Sequence, residues 1–175
     1  MFRVVVINGP AASGKDTFIE MCKKYANWKI HNISTIDYVK NIAHECGWTG
    51  TKTPNDRWFL CELKKLLASY NDSPYQVVAH LINEIKLTHQ TSPTTINEVV
   101  FVHVREPLEI KRWVADYDAF TLKVERNDNA MGAQYNTSDM SVDDYVYDYV
   151  VDNNGTLDEL EAEAGNFLHR LGELI

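Results

Sequence analysis

The sequence is poor in cysteine and contains no long apolar run. Its 175 residues include three cysteines, none of them in a Cys-x-x-Cys pair or in a spacing typical of a zinc site. We therefore expect free thiols in a reducing compartment. No stretch approaches the ~20 apolar residues that a membrane-spanning helix requires, and no secretory leader is recognisable. These absences exclude a disulfide-rich secreted scaffold and predict a cytoplasmic protein.

Positive charge is also scarce. Lys and Arg total 17 against 25 Asp and Glu, which gives a net charge of −8. A protein with this balance does not attract nucleic acid or an anionic membrane, so we expect neither as a partner. The sequence has no internal repeat, no low-complexity tract and no linker-like segment. With 45% apolar and 24% charged residues, the chain is expected to form one soluble domain over residues 1–175.

The N-terminal segment has the pattern of a phosphate-binding loop. An apolar run at residues 2–7 is followed at once by Asn-Gly-Pro-Ala-Ala-Ser-Gly-Lys-Asp-Thr at positions 8–17. Glycines let the backbone wrap an anion, and a lysine at this spacing reaches the β- and γ-phosphates of a nucleotide. The first amides of the following helix and the positive end of its dipole add to such a site. The predicted phosphate-binding residues are Gly9, Ala12, Ser13, Gly14, Lys15, Asp16 and Thr17.

One position departs from the general pattern of such loops. Asp16 stands where a Ser or Thr usually binds magnesium, and Thr17 comes one residue later. A carboxylate can hold Mg²⁺ directly or through water, so Asp16 is the candidate metal ligand. The alternative is that Asp16 only complements the positive end of the helix dipole.

Strand-like and helix-like apolar patterns alternate along the rest of the chain. After residues 2–7, further strands are predicted at residues 28–33, 99–104, 120–124 and 147–151. Capping pairs, Ser34 with Asp37 and Thr156 with Glu159, predict the starts of two of the intervening helices. This alternation predicts an α/β fold, a three-layer sandwich with a mainly parallel, doubly wound sheet. A helical insertion at about residues 35–90 follows the second predicted strand, and a polar, lid-like segment at about residues 127–140 follows the fourth.

Two helices of this scheme have a predicted apolar face. The face in the insertion consists of Phe59, Leu63, Leu66, Leu67 and Tyr70. The face of the C-terminal helix consists of Leu157, Leu160, Ala164, Phe167, Leu168 and Leu171. We expect the face of the C-terminal helix to be buried.

Ligands bind to doubly wound sheets at the carboxyl ends of the strands. Arg105 follows a buried strand at this edge, where it can bind an anion or form a salt bridge with Glu109. Arg126 leads into the polar segment and is either a cation of a lid or a surface arginine. His103 can contact the phosphate site, although a hydrogen-bonded core histidine is the alternative.

Three polar residues of the insertion are candidates for binding the substrate. Asp37 can hold a hydroxyl or a base of an acceptor, or it can serve only as a helix cap. Lys40 can contribute a positive charge, or it can be a solvated lysine. Arg57 precedes Trp58, which is unlike a plain polar helix face, and a guanidinium group suits a phosphate.

Taken together, these segments resemble the phage-type deoxynucleoside monophosphate kinases and the dephospho-CoA kinase-like proteins. The resemblance is carried, in order, by residues 14–17, 34–40, 102–110, 122–126 and 149–157. It implies a P-loop kinase fold, with ATP and Mg²⁺ as cofactors and a nucleotide as acceptor. It also implies that Asp16 is normal for this group, that Arg57 contacts a substrate phosphate, and that the loop containing Asn153 lies near the adenine of ATP. His103 departs from the pattern, since the family carries an aspartate there.

We therefore expect a P-loop nucleotide kinase that transfers a phosphoryl group from ATP to a nucleoside or deoxynucleoside monophosphate. Lys15, Arg105 and Arg126 are the predicted catalytic residues, and a small-molecule nucleotide is the predicted partner. One alternative is a kinase that acts on dephospho-CoA or on a nucleoside. A second is an ATP-binding regulatory protein without transfer activity, which His103 and the presence of a single arginine beside the predicted lid would favour. Whether the chain forms a homodimer is left open.

Overall fold

The computed structural model describes residues 1–91, 96–127 and 141–173. The chain divides into two compact units, of which the first comprises Met1–Asn32 with Pro93–Ile175 and the second comprises Ile33–Ser92. Apart from Asn127, the segment predicted to be lid-like lies outside the described residues. Within the described ranges, no helix combines the length and the hydropathy needed to cross a bilayer.

A five-stranded sheet lies at the centre of the fold. Its strands are β1 (Phe2–Asn8), β2 (Trp28–Ser34), β3 (Asn97–His103), β4 (Phe120–Glu125) and β5 (Tyr149–Asp152). The order across the sheet is β2-β3-β1-β4-β5, so β1 is central. It pairs in parallel with β3 and with β4, and β4 pairs in parallel with β5. The predicted α/β class with a mainly parallel sheet is confirmed, and all five predicted strands are present within two residues of their expected bounds.

Helices connect the strands of the first unit, as parallel pairing requires. They are α1 (Lys15–Cys22), α5 (Pro107–Tyr117) and a 3₁₀ helix (Ser141–Asp144). A further helix, α6 (Leu157–Glu173), follows the last strand. Helices α1 and α6 contact each other, and their apolar residues form one core with those of the sheet. Helix α5 contacts β1 and β4 and buries Ile110 and Trp113.

Phe167 of α6 is at the centre of this core. Its ring centroid lies 5.4–6.2 Å from those of four other aromatic rings, which belong to Phe18, Phe101, Phe120 and Tyr149. The predicted buried face of α6 is formed by Leu160, Ala164, Phe167, Leu168 and Leu171. Leu157 was wrongly included in that face: it is the first residue of the helix and is 62% exposed.

The second unit consists of α2 (Thr35–Glu45), α3 (Pro54–Asn71) and α4 (Ser73–Thr91), which contact one another pairwise. Helix α3 has no fully buried residue, so its predicted apolar face is only partly covered. Leu66 and Tyr70 are 64% and 82% exposed. Within that face, Phe59, Leu63 and Leu67, which are spaced by four residues, are half-buried.

The two predicted capping pairs differ in outcome. Thr156 and Glu159 form the reciprocal bonds, with Thr156 N donating to Glu159 Oε2 at 2.7 Å and Glu159 N donating to Thr156 Oγ1 at 3.3 Å. Ser34 is the N-cap of α2, but its side chain makes no capping bond. The carboxylate of Asp37 accepts a hydrogen bond from Lys40 Nζ at 2.8 Å.

A candidate phosphate-binding site

The loop between β1 and α1 has a backbone that only glycine allows at two of its positions. Gly9 and Gly14 have φ values of +145° and +92°. A Cβ on Gly9 would lie 2.3 Å from the carbonyl oxygen of Val124, and a Cβ on Gly14 would lie 2.2 Å from Nδ2 of Asn153. Both positions therefore need glycine, for backbone conformation and for space.

Lys15 closes this loop with its side chain. Its ammonium group donates hydrogen bonds to the carbonyl oxygens of Gly9 at 2.8 Å and Pro10 at 2.7 Å, and it lies 3.5 Å from Ser13 Oγ. The positive charge is thereby held at the loop, where an anion bound to the loop amides would meet it.

The start of α1 supplies hydrogen-bond donors to the same place. The first bond of the helix runs from Phe18 N to Gly14 O at 2.8 Å, so the amides of residues 15–17 have no acceptor within the helix. Gly14 has no side chain that could cap them. A glycine-bounded loop, a lysine and the amides at the start of a helix form a site that fits the phosphates of a nucleotide.

Asp16, the predicted metal ligand, is in the first turn of α1 and its side chain is 82% exposed. Its Oδ1 accepts a hydrogen bond from Asn32 Nδ2 at 3.2 Å and lies 3.6 Å from His103 Nε2. His103 Nε2 in turn lies 2.7 Å from Asn32 Oδ1, and since that oxygen can only accept, Nε2 is the donor. The three side chains form a short chain of hydrogen bonds that ends at the carboxylate.

This arrangement fits a hard cation held by a single carboxylate. Among the described residues, no three His, Cys, Asp or Glu side chains are arranged to hold a metal ion. Mg²⁺ is often bound through one or two carboxylates, while water and substrate phosphates complete its coordination. The exposed Asp16 beside the loop is compatible with that mode of binding, in which the protein supplies only part of the coordination.

The two predicted catalytic arginines follow the strands on either side of β1. Arg105 comes two residues after the end of β3, and Arg126 directly after the end of β4. The strands are in parallel register, with Ile7 opposite His103 and Asn8 opposite Lys123. Both arginines are exposed and belong to the edge of the sheet that carries the loop.

Comparison with known proteins gives a likeness of fold. Neither a protein-family model nor a curated protein matches the sequence. Among solved structures, dephospho-CoA kinase from Campylobacter jejuni is similar with a TM-score of 0.55 and 13% identity, over 97% of each chain. A sugar kinase from Janibacter sp. is similar with a TM-score of 0.47 and 15% identity, over 97% of this chain and 95% of the other.

The chain has a P-loop kinase fold. The sequence resemblance implied this fold, and the order of the strands with the loop after the central strand agrees with it. At 13% identity the likeness is one of fold, so activity and substrate have to be argued from the residues of this chain.

In this P-loop kinase fold, the predicted substrate-binding residues belong to the second unit. Asp37 and Lys40 are paired within the first turns of α2, with side chains 60% and 41% exposed. Arg57 lies in the first turn of α3 and is exposed. That turn is fixed by a capping box between Thr53 and Asp56, which hydrogen bonds from Thr51 and Thr53 to the Asp56 carboxylate support.

Two residues beside the loop, Asn8 and Tyr147, have contacts that were not predicted from the sequence. Asn8 is 1% exposed. Its Oδ1 accepts a hydrogen bond from Gly9 N, and its Nδ2 donates to Arg105 O and to the hydroxyl of Tyr147. Burial raises the pKa of Tyr147, so the hydroxyl keeps the proton that it donates to Val142 O at 2.9 Å. The only signal in the sequence was the position of Asn8 directly before the loop.

Lys123 of β4 also has a role that the sequence did not indicate. Its ammonium group bonds to the carboxylates of Glu125 and Asp143, which ties the 3₁₀ helix to β4. Burial would lower the pKa of Lys123, but the two carboxylate partners outweigh burial and raise it. Lys123 is therefore a charged structural residue of the sheet.

Asn153 was predicted to contact the nucleotide. The structure directs its side chain at the loop, with Nδ2 donating to Ser13 O at 2.8 Å, and the residue is 9% exposed. Its backbone N donates to Glu125 O at 2.8 Å.

Proposed function

We propose that this protein is a nucleotide kinase that transfers the γ-phosphoryl group of ATP to a nucleoside or deoxynucleoside monophosphate. The observation that carries the proposal is the loop of residues 9–15, in which two glycines have positive φ and the ammonium group of Lys15 is held at the start of a helix. The sequence resemblance to deoxynucleoside monophosphate kinases supports the choice of acceptor.

The loop would bind the β- and γ-phosphates of ATP. Lys15 exchanges its bonds to the Gly9 and Pro10 carbonyls for bonds to phosphate oxygens, and the amides of residues 15–17 donate to the same group. A lysine suits this role as a compact charge with three donors. The exchange needs little movement, because the ammonium group is already at the loop.

Asp16 would hold Mg²⁺ beside the loop, directly or through water. When bound, Mg²⁺ would supply positive charge against the negative charge that develops on the transferring phosphoryl group. His103 and Asn32 orient the Asp16 carboxylate through the hydrogen bonds described above.

Transfer itself requires no covalent intermediate with the protein. An oxygen of the acceptor phosphate forms the new bond to the γ-phosphorus while the bond to the leaving ADP oxygen breaks. Positive groups near the transferring phosphoryl stabilise this change, and Lys15, Arg105 and Arg126 are the candidates in this chain. Asp37, Lys40 and Arg57 are the candidates for holding the acceptor, Arg57 through its phosphate.

A coupled ADP-release assay tests the proposal. The purified chain is incubated with ATP, Mg²⁺ and each member of a panel of nucleoside and deoxynucleoside monophosphates, with dephospho-CoA and nucleosides in the same plate. We expect ADP release that depends on a monophosphate. Release only with dephospho-CoA or with a nucleoside would make the chain a kinase of another small molecule, and ATP hydrolysis without any acceptor would contradict a kinase.

A second candidate is a regulatory protein that binds ATP without transferring phosphate. The observation that favours it is His103, an imidazole within 3.6 Å of the Asp16 carboxylate at a position where the resembling kinases carry an aspartate. Saturable ATP binding, together with no ADP release across the whole panel, would support this candidate.

A further inference from the structure

Two buried asparagines hold the two ends of the phosphate-binding loop. Asn8 is at the start, where its Oδ1 accepts from Gly9 N at 2.8 Å. Asn153 is at the end, where its Nδ2 donates to Ser13 O at 2.8 Å. The two residues are 1% and 9% exposed, so water does not compete well for their amide groups.

The partners of each asparagine fix which way its amide points. At Asn8, the oxygen must face the Gly9 amide, which can only donate, and the nitrogen faces the Arg105 carbonyl at 3.2 Å, which can only accept. The second proton of Nδ2 goes to the Tyr147 hydroxyl at 2.7 Å. At Asn153, the nitrogen must face the Ser13 carbonyl. Neither side chain can turn over without losing hydrogen bonds.

The same two residues also connect the loop to the strand ends on either side of it. Asn8 bonds to the main chain of Arg105 after β3. Asn153 bonds through its own backbone N to the carbonyl oxygen of Glu125, the residue before Arg126. The loop and the main chain at both candidate catalytic arginines are therefore held by hydrogen bonds from these two asparagines.

We propose that Asn8 and Asn153 are positioning residues that hold the phosphate-binding loop in its binding geometry and in register with the strand ends that carry Arg105 and Arg126. The inference rests on the proposed function in so far as the loop binds phosphate. For Asn153 it assigns a bond to the phosphate-binding loop, whereas the family resemblance implied only that the loop of Asn153 lies near adenine. A loop that is already ordered loses less entropy when it binds a ligand, so each lost bond should weaken phosphate binding.

Binding of inorganic tripolyphosphate tests this role without involving adenine or any acceptor. Affinities of the Mg²⁺ complexes of tripolyphosphate and of ATP are measured by calorimetry for the unaltered chain, Asn8→Ala and Asn153→Asp. The last variant keeps the size of the side chain but turns an oxygen toward the Ser13 carbonyl and adds a negative charge, so the uncharged Asn153→Ser is measured beside it. We expect tripolyphosphate and ATP affinities to fall together, by about three- to tenfold for each lost hydrogen bond.

A neighbouring asparagine provides the matched control. Asn154 is exposed, its Oδ1 accepts from Asn127 N and its Nδ2 donates to the Asp152 carboxylate. Asn154→Ala should leave both affinities unchanged. Tyr147→Phe removes only the hydroxyl that accepts from Asn8 Nδ2. It replaces Asn8→Ala if that variant does not fold, and we expect it to lower both affinities by a smaller factor. Asn153→Ser serves likewise for Asn153→Asp.

Three results would overturn the inference. A loss of ATP affinity with unchanged tripolyphosphate affinity in Asn153→Asp would mean that Asn153 contacts adenine. A lower free energy of unfolding with both affinities unchanged would mean that the asparagines only stabilise the fold. If the unaltered chain bound neither tripolyphosphate nor ATP, the loop would not be a phosphate-binding site. Intact binding without ADP release would instead contradict the proposed kinase and leave the positioning role standing.

Discussion

The ammonium nitrogen of Lys15 lies 2.8 Å from the carbonyl oxygen of Gly9, so one side chain joins the two ends of the phosphate-binding loop. A second bond, to Pro10 O at 2.7 Å, completes the closure. The lysine thus has a role before any nucleotide arrives, because it offsets the negative ends of the loop carbonyls. The same position makes its charge available to a phosphate.

Replacing Gly14 by alanine should damage the loop in two ways. The backbone has φ of +92°, which costs a non-glycine residue about 1–2 kcal/mol. The new methyl group would also lie 2.2 Å from Asn153 Nδ2 and displace that side chain. We expect a lower free energy of unfolding in urea and a loss of tripolyphosphate binding.

Gly47→Ala separates the two effects in this experiment. Gly47 has a similar φ of +93°, but a Cβ there meets no atom within 4 Å. It should therefore show the cost in stability alone and bind tripolyphosphate normally. Equal behaviour of the two variants in both measurements would mean that displacement of Asn153 has no consequence for the loop.

Removing the charge of Asp16 should weaken the dependence on magnesium without unfolding the protein. Asp16→Asn keeps the shape of an exposed side chain but loses the carboxylate that we propose to hold Mg²⁺. We expect the Mg²⁺ concentration that gives half-maximal ATP binding to rise several-fold. Glu20→Gln is the control. Glu20 is an exposed carboxylate near the end of the same helix, and it pairs with Lys23. Identical Mg²⁺ titrations of the two variants would contradict a metal role for Asp16.

The buried carboxylate of Glu98 should make stability depend on pH. Burial would raise the pKa of Glu98, but hydrogen bonds from Lys29 and His31, at 2.8 and 2.6 Å, outweigh it and leave the pKa below its ordinary value of 4.5. The folded chain therefore binds a proton at this site less readily than the unfolded chain. The resulting stabilisation is present above about pH 4.5 and is lost as the pH falls through the lowered pKa.

Glu98→Gln tests this linkage in urea unfolding experiments between pH 7 and pH 3. Hydrogen bonds to a charged group contribute about 1.5–3 kcal/mol, so we expect the variant to be less stable by roughly that amount at pH 7. The difference from the unaltered chain should shrink below about pH 4.5. Two parallel pH profiles would show that Glu98 does not titrate with folding in this way.

The sheet and the loop could be predicted because their signals are local. Residues 2–7 and 99–104 are almost continuously apolar, as strands buried on both faces must be. The loop is marked by the spacing of Gly9, Gly14 and Lys15, since each needs a particular residue type. The alternation of strands and helices then gave the α/β class.

The supports of the loop could not be predicted because their partners are distant in sequence. Asn8 and Tyr147 are 139 residues apart, and Ser13 and Asn153 are 140 apart. The family resemblance implied that the loop of Asn153 lies near the adenine of ATP, but it gave no partner within the protein for the Asn153 side chain. The exposure of Leu66 and Tyr70 of α3 could not be predicted either, because an apolar pattern gives a face but not how much of it is covered.

The role of Lys15 in phosphoryl transfer is tested most directly by comparing Lys15→Ala with Lys23→Ala in the acceptor-dependent ADP-release assay. Lys23 is an exposed lysine just past α1 that pairs with Glu20, so its loss should leave turnover unchanged. Losing the charge at the loop should lower kcat/KM by about 100-fold or more, with the unfolding transition preserved. Undiminished turnover in Lys15→Ala would contradict phosphoryl transfer at this loop.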